Sequence, residues 1–160
     1  MMQIDIVAVG KIKEKYLNKG IQEYLKRLQV YAKVRIHEVA DEATAESMSQ
    51  KEIDQLLEVE ASRINHYISN QHTVIVLAIE GDLISSEELA SKIENYATYG
   101  QSKLCFLIGG SLGLAESLKR KADWRVSFGR ITLPHQLMRL VLLEQIYRAY
   151  RIVNHQPYHK

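Results

Sequence analysis

Leu104-Cys105-Phe106-Leu107-Ile108 runs without a spacer into Gly109-Gly110-Ser111-Leu112-Gly113. A short, unbroken apolar run bounded by glycines reads as a strand buried on both faces. The glycines after it permit positive φ and let a ligand come close to the backbone. In open α/β sheets ligands bind beyond the carboxyl ends of strands, so this junction is the first candidate site.

Outward from the junction, strand and helix signals alternate along the whole chain. Ile4–Val9, Val34–Val39, Thr73–Ile79 and Trp124–Phe128 join Leu104–Ile108 as strands. Leu17, Ile21, Tyr24, Leu25 and Leu28 fall at helical spacing, as do Ile53, Leu56, Leu57, Ile64 and Ile68, and then Leu89, Ile93 and Tyr96. Ser49 with Glu52, and Ser85 with Glu88, are capping boxes that start two of these helices. A short helix is expected over Leu114–Lys121, and a last one from Pro134 to about Val153. The fold class is therefore α/β, a mostly parallel sheet flanked by helices. No linker or repeat divides residues 1–160, which read as a single domain.

The last helix stands out. Met138, Leu140, Val141, Leu142, Leu143 and Ile146 cover far more than one stripe of its circumference. Such a helix needs cover on more than one side, and a homodimer is the expected source; a central helix buried within one chain is the alternative.

Composition limits the function classes. The chain is 46% hydrophobic and 25% charged, with two prolines, eight glycines and one cysteine. No apolar stretch approaches the ~18 residues of a membrane span, and the N-terminus lacks the basic start of a signal peptide. The single Cys105 forms no disulfide framework and agrees with a reducing, cytoplasmic setting. Net charge is only +2, but it is unevenly distributed. Residues 11–35 carry a balance of +6, residues 36–118 a balance of −10, and residues 119–160 a balance of +7. Two basic blocks brought to one face would attract a polyanion.

Three segments carry candidate chemistry. Gly109-Gly110-Ser111-Leu112-Gly113 fits the G-x-S-x-G elbow of serine hydrolases, with Asp123 and histidines downstream. That reading fails on scale, because a hydrolase sheet needs more strands than this chain supplies. Neither the Walker pattern nor G-x-G-x-x-G is present. Phe128-Gly129-Arg130-Ile131-Thr132-Leu133-Pro134-His135 leaves a strand and re-enters a helix, and its backbone can meet a flat heterocycle. The ending Pro157-Tyr158-His159-Lys160 combines an aromatic ring, an imidazole and an ammonium, a set suited to an RNA base and its phosphates. His37, His66 and His72 have no partners at metal-ligand spacing, and no metal is expected.

Together these segments resemble one family. Val7-Ala8-Val9-Gly10-Lys11, Leu107-Ile108-Gly109-Gly110 with Gly113, Thr132-Leu133-Pro134-His135 with Arg139, and Tyr147-Arg148-Ala149 ahead of the Pro157–Lys160 ending are similar to the RlmH family. These are bacterial ribosomal RNA large-subunit methyltransferases of the SPOUT superfamily, and the resemblance runs from residue 2 to residue 160. It implies a deep C-terminal trefoil knot and a homodimer with its active site near the subunit interface. It implies S-adenosylmethionine as methyl donor, and N3 of a pseudouridine in helix 69 of the large-subunit RNA, on the assembled 70S ribosome, as target. Leu77, Gly109, Phe128, Gly129, Arg130, Ile131, Thr132 and Leu133 match the family's donor contacts. Tyr158, His159 and Lys160 match the elements that close over the acceptor base, with Arg139 as a further catalytic candidate. The family's pattern has an acidic residue after the matched leucine; this chain has Ala78, with Glu80 the nearest carboxylate. A different RNA target, or a ribosome-binding factor without catalysis, is the alternative within the same fold.

Overall fold

Alternation of side chains along the first strand sorts the core into two halves. The computed structural model describes residues 1–160. In β1 (Met2–Val9), Ile4, Ile6 and Ala8 join one apolar cluster while Val7 and Val9 join another. The same period runs through β4 (Lys103–Ile108), where Leu104, Phe106 and Ile108 oppose Cys105 and Leu107. Both strands are buried on both faces, as a central strand of a parallel sheet must be.

The other elements are α1 (Lys15–Leu28), β2 (Ala32–Val39), α2 (Gln50–Asn65), β3 (Thr73–Leu83), α3 (Ser86–Thr98), α4 (Glu116–Lys121), β5 (Trp124–Ser127) and α5 (His135–Val153). All strand pairs are parallel, in the order β2-β1-β4-β3-β5. Helices α1, α3 and α5 contribute to one cluster, and α2 and α4 to the other. Both expected capping boxes form, each with the serine hydroxyl accepting from the N3 amide and the glutamate accepting from the cap amide.

Two boundaries differ from expectation. β3 continues to Leu83 rather than stopping at Ile79. Leu77 and Asp82 both sit opposite Val126, so Ala78–Gly81 bulges out of register before pairing resumes. Glu80 and Gly81 interrupt the apolar run there, past the pairing with β4, and that interruption imitates a loop. Pro134 is the N-cap of α5 rather than its first helical residue.

The apolar circumference of α5 is covered largely within one chain. Leu142, Leu143, Ile146 and Ala149 are fully buried, and the helix lies on the sheet between α1 and α3. Gly20 of α1 faces Leu140, so α1 approaches α5 closely. Of the six residues that suggested a second subunit, Leu142, Leu143 and Ile146 are buried by the chain itself, while Met138, Leu140 and Val141 stay partly exposed.

Asp5 lies in the middle of β1, 3% exposed, on the face of Val7 and Val9. His37 Nε2 lies 3.0 Å from its Oδ1 and His72 Nε2 lies 2.9 Å from its Oδ2, with Arg35 Nε at 3.3 Å. The Ser69 amide donates to His72 Nδ1, so His72 donates through Nε2. Burial pushes the Asp5 carboxyl up, but the hydrogen bonds from His37 and His72 and the Arg35 charge outweigh it and hold the group below its ordinary value. The two histidines that looked unpartnered in the sequence share one carboxylate here.

Candidate active site

Because all five strands run the same way, their carboxyl ends meet at one edge, and a largely apolar pocket opens there. Its walls come from β3 (Leu77, Ala78, Ile79), the end of β4 (Ile108, Gly109, Gly110), β5 (Val126, Ser127), the following loop (Phe128, Gly129, Ile131, Thr132, Leu133) and the first turn of α5 (His135, Met138). Seven of the eight residues matched to donor binding line it; Arg130 does not. Ile108, Val126, His135 and Met138 are walls outside the positions matched to donor contacts, although Ile108 and His135 lie within the quoted motifs. Val126 was legible only as a strand residue. His135 and Met138 lie one turn apart at the start of α5, so they share a face.

The loop backbone is shaped for a ligand. A Cβ on Gly109 would stand 2.3 Å from the Gly113 carbonyl oxygen, so no larger residue fits this turn. Gly129 sits at φ +137°, a conformation that side chains rarely adopt. The amides of Arg130, Ile131, Thr132 and Leu133 donate to no other backbone group. A run of free amides and carbonyls beside apolar walls can grip the polar edge of a flat heterocycle while its faces meet Leu77, Ile108 and Val126. Ile131 is 81% exposed beside this pocket.

Glu80 is already committed: Lys119 Nζ lies 2.7 Å from it and holds its carboxyl below the usual range. The position after Leu77 is Ala78, a pocket wall without charge.

The hydrolase constellation does not assemble. Asp123 accepts from the Val74 amide at 2.8 Å, tying β3 to the start of β5. Ser111 is exposed and makes no hydrogen bond to a histidine.

Arg139 is 3% exposed, pairs through Nη1 with Glu38 and donates through Nη2 to the Gly10 carbonyl at 3.1 Å, while its Nε is buried without a hydrogen-bond partner. These contacts pin α5 to the ends of β1 and β2.

The tail is ordered against α5. Tyr158 donates to Glu144 Oε2 at 2.8 Å and shares a 3.1 Å hydrogen bond with the Tyr24 hydroxyl. Its ring meets Tyr147 edge-on at 4.9 Å, with the Arg148 guanidinium 4.8 Å from its centroid. Burial, the Tyr24 and Glu144 hydrogen bonds and the Glu144 charge push its hydroxyl well above the ordinary value. Arg148 donates to His159 Nδ1 at 3.0 Å, so the proton of the neutral ring is on Nε2, 2.5 Å from Glu87. Lys160 is exposed. At about 1.5 Å per residue, Glu144 lies about 9 Å further along α5 than Met138, the last residue of that helix in the pocket wall, and Arg148 about 15 Å.

Known proteins bear on this arrangement. The family model described as "Predicted SPOUT methyltransferase" matches residues 2–159. The chain is 57% identical over 159 residues to a ribosomal RNA large subunit methyltransferase H of Listeria welshimeri, covering 99% of this chain and 100% of that one. Proteins of the same name from Bacillus pumilus and Clostridioides difficile are 55% and 54% identical, with the same coverage. Among solved structures, a probable methylase family protein from Haemophilus influenzae superposes with a TM-score of 0.54 at 12% identity, over 98% of this chain and 70% of that one. That likeness speaks to the fold alone.

Proposed function

The chain belongs to the family of ribosomal RNA large subunit methyltransferases H among the SPOUT methyltransferases, and on that premise we propose that it methylates N3 of a pseudouridine in helix 69 of the large-subunit RNA, on the assembled 70S ribosome. The observation that carries the reading is the pocket at the strand ends, lined by apolar side chains together with residues 131–133, whose amides have no backbone partner. Those residues suit S-adenosylmethionine: Leu77, Ile108 and Val126 for the adenine faces, and the backbone of Phe128–Leu133 for its edge. When bound, S-adenosylmethionine supplies a methyl group already activated on a sulfonium.

The chain's own work is alignment and proton handling. Methylation joins the methyl carbon to N3 as its bond to sulfur breaks, and the N3 proton leaves. Holding both partners in line supplies on the order of 7–11 kcal/mol of barrier lowering. His159 is the proton acceptor in this reading; its Nδ1 becomes free once the tail leaves Arg148. Lys160 stabilises the developing negative charge on the base. Tyr158, whose hydroxyl stays protonated, stacks on the base rather than accepting its proton. Arg139 holds α5, and with it His135 and Met138, against the ends of β1 and β2.

We propose further that the active unit is a homodimer. One chain's tail is anchored at Glu144 and Arg148, about 9–15 Å along α5 beyond Met138 of its own pocket, and in this reading a second copy supplies the tail that closes each site. The exposed Ile79, Leu112, Ile131 and Leu133 around the pocket rim suit such cover. The chain passing from β4 out to β5 and back along α5 is where the family's trefoil knot is proposed. Residues Lys11–Arg35 and Lys119–Arg151 supply the contacts to RNA phosphates.

The target is tested by nucleoside mass spectrometry of large-subunit RNA from ribosomes treated with the protein and labelled donor. The reading requires label in 3-methylpseudouridine; label in another nucleoside would replace the target while leaving the donor site intact.

A further inference from the structure

We propose that His135 is a donor-site residue in its own right: a neutral imidazole that admits a sulfonium cation to the pocket and excludes it once protonated. The proposal rests on the reading of the pocket as a methyl-donor site and adds to it a residue outside the positions matched to donor contacts.

The position comes first. His135 opens α5 at the corner where the donor pocket meets the groove between Gly10 and Asp41. It also borders the surface beside Gly110 and Ser111, so a ligand entering from any of these sides passes it. Its Nδ1 is buried without a hydrogen-bond partner. Buried polar atoms are nearly always paired, and an orphan inside a ligand pocket is a group whose partner arrives with the ligand.

The neighbouring polar groups are already engaged. On α5, Arg139 follows one turn later, bound to Glu38 of β2 and the Gly10 carbonyl. Glu60 of α2 accepts from the Glu42 amide, and Glu80 is paired with Lys119 of α4. Across the groove stand Lys11, Lys13 and Glu14, and Asp41 is the carboxylate that favours a charged ring. Against Asp41 act burial, the Arg139 charge and the positive end of α5. Burial first and Arg139 second hold the imidazole below its ordinary value. The ring is therefore neutral at pH 7.

The chemical consequence concerns charge. S-adenosylmethionine carries a fixed positive charge on sulfur, whereas its product S-adenosylhomocysteine is a neutral thioether. A protonated His135 adds a second cation inside a partly dry pocket, where charges interact more strongly than in water. It also converts Nδ1 from an acceptor into a donor.

Titration calorimetry of the full chain with each of these two ligands, between pH 5 and 7.5, tests the idea. S-adenosylmethionine affinity is expected to fall by up to about tenfold per pH unit once His135 begins to protonate. S-adenosylhomocysteine affinity should change far less. His135→Asn, with His135→Gln as a second variant and thermal melts to confirm folding, should flatten the S-adenosylmethionine profile. Parallel profiles for the two ligands, or a variant that keeps the wild-type slope, would overturn the role of His135 while leaving the donor site standing. Absence of binding by either ligand at every pH would remove the donor reading, and this inference with it.

Discussion

Gly109 has no room for a side chain, because the Gly113 carbonyl oxygen stands 2.3 Å from where its Cβ would lie. Gly109→Ala must open the Gly109–Gly113 turn, which forms one wall of the pocket. A fall in stability of about 1–3 kcal/mol is expected, with donor affinity lowered by more than about tenfold, read by thermal melting and calorimetry. Asp5 gives the second residue-scale prediction. Its carboxyl titrates lower in the folded chain than in the unfolded one, whose reference value is 3.8. Its contribution is therefore complete above that value and is lost as pH falls through the folded pKa. Asp5→Asn should lower stability at pH 7 by about 2 kcal/mol and blunt the acid limb of a melting series below about pH 4. Gly109 was legible in the sequence because an apolar run ending in glycine has few structural meanings. The Asp5 pairing was not: His37 and His72 lie far from Asp5 in sequence, and only strand order brings them to one carboxylate.

At the scale of elements, α5 carries both scaffold and site. Arg139→Ala leaves Glu38 and the Gly10 carbonyl without their partner. Glu38 is half-exposed and regains water, so the loss is expected at about 2–3 kcal/mol, below that of a fully buried pair. The variant should also weaken donor binding, since the first turn of α5 forms a pocket wall. The sequence announced α5 as a helix that needs cover all round, and that was right. The cover expected from the sequence was a second subunit, but periodicity records burial and not the burying partner; α1, α3 and the sheet bury Leu142, Leu143 and Ile146, and Met138, Leu140 and Val141 stay partly exposed. The extra length of β3 was hidden because Glu80 and Gly81 interrupt the apolar run past the pairing with β4, and that interruption reads as a loop.

At the scale of the whole molecule, the proposed function draws on a second copy of the chain and on the ribosome. Deleting Tyr158–Lys160 should leave donor binding intact and abolish methyl transfer, since the tail lies along α5 and away from the pocket. Equal loss of donor binding would show that the tail shapes the pocket itself. Ribosome binding should weaken with salt, each phosphate contact adding about 0.9 to the slope of log affinity against log salt. With a net charge of only +2, naked RNA is expected to be held weakly, and on the proposed function the shape of a whole ribosome would supply selectivity. Labelled-methyl transfer to 70S ribosomes, separated subunits and naked large-subunit RNA, run side by side, tests the account most directly. Label is expected in the large-subunit RNA of 70S ribosomes, with little or none in the other two substrates. Absence of transfer to all three, with the donor bound, would contradict the methyltransferase account, and equal transfer to naked RNA would contradict recognition of the assembled ribosome.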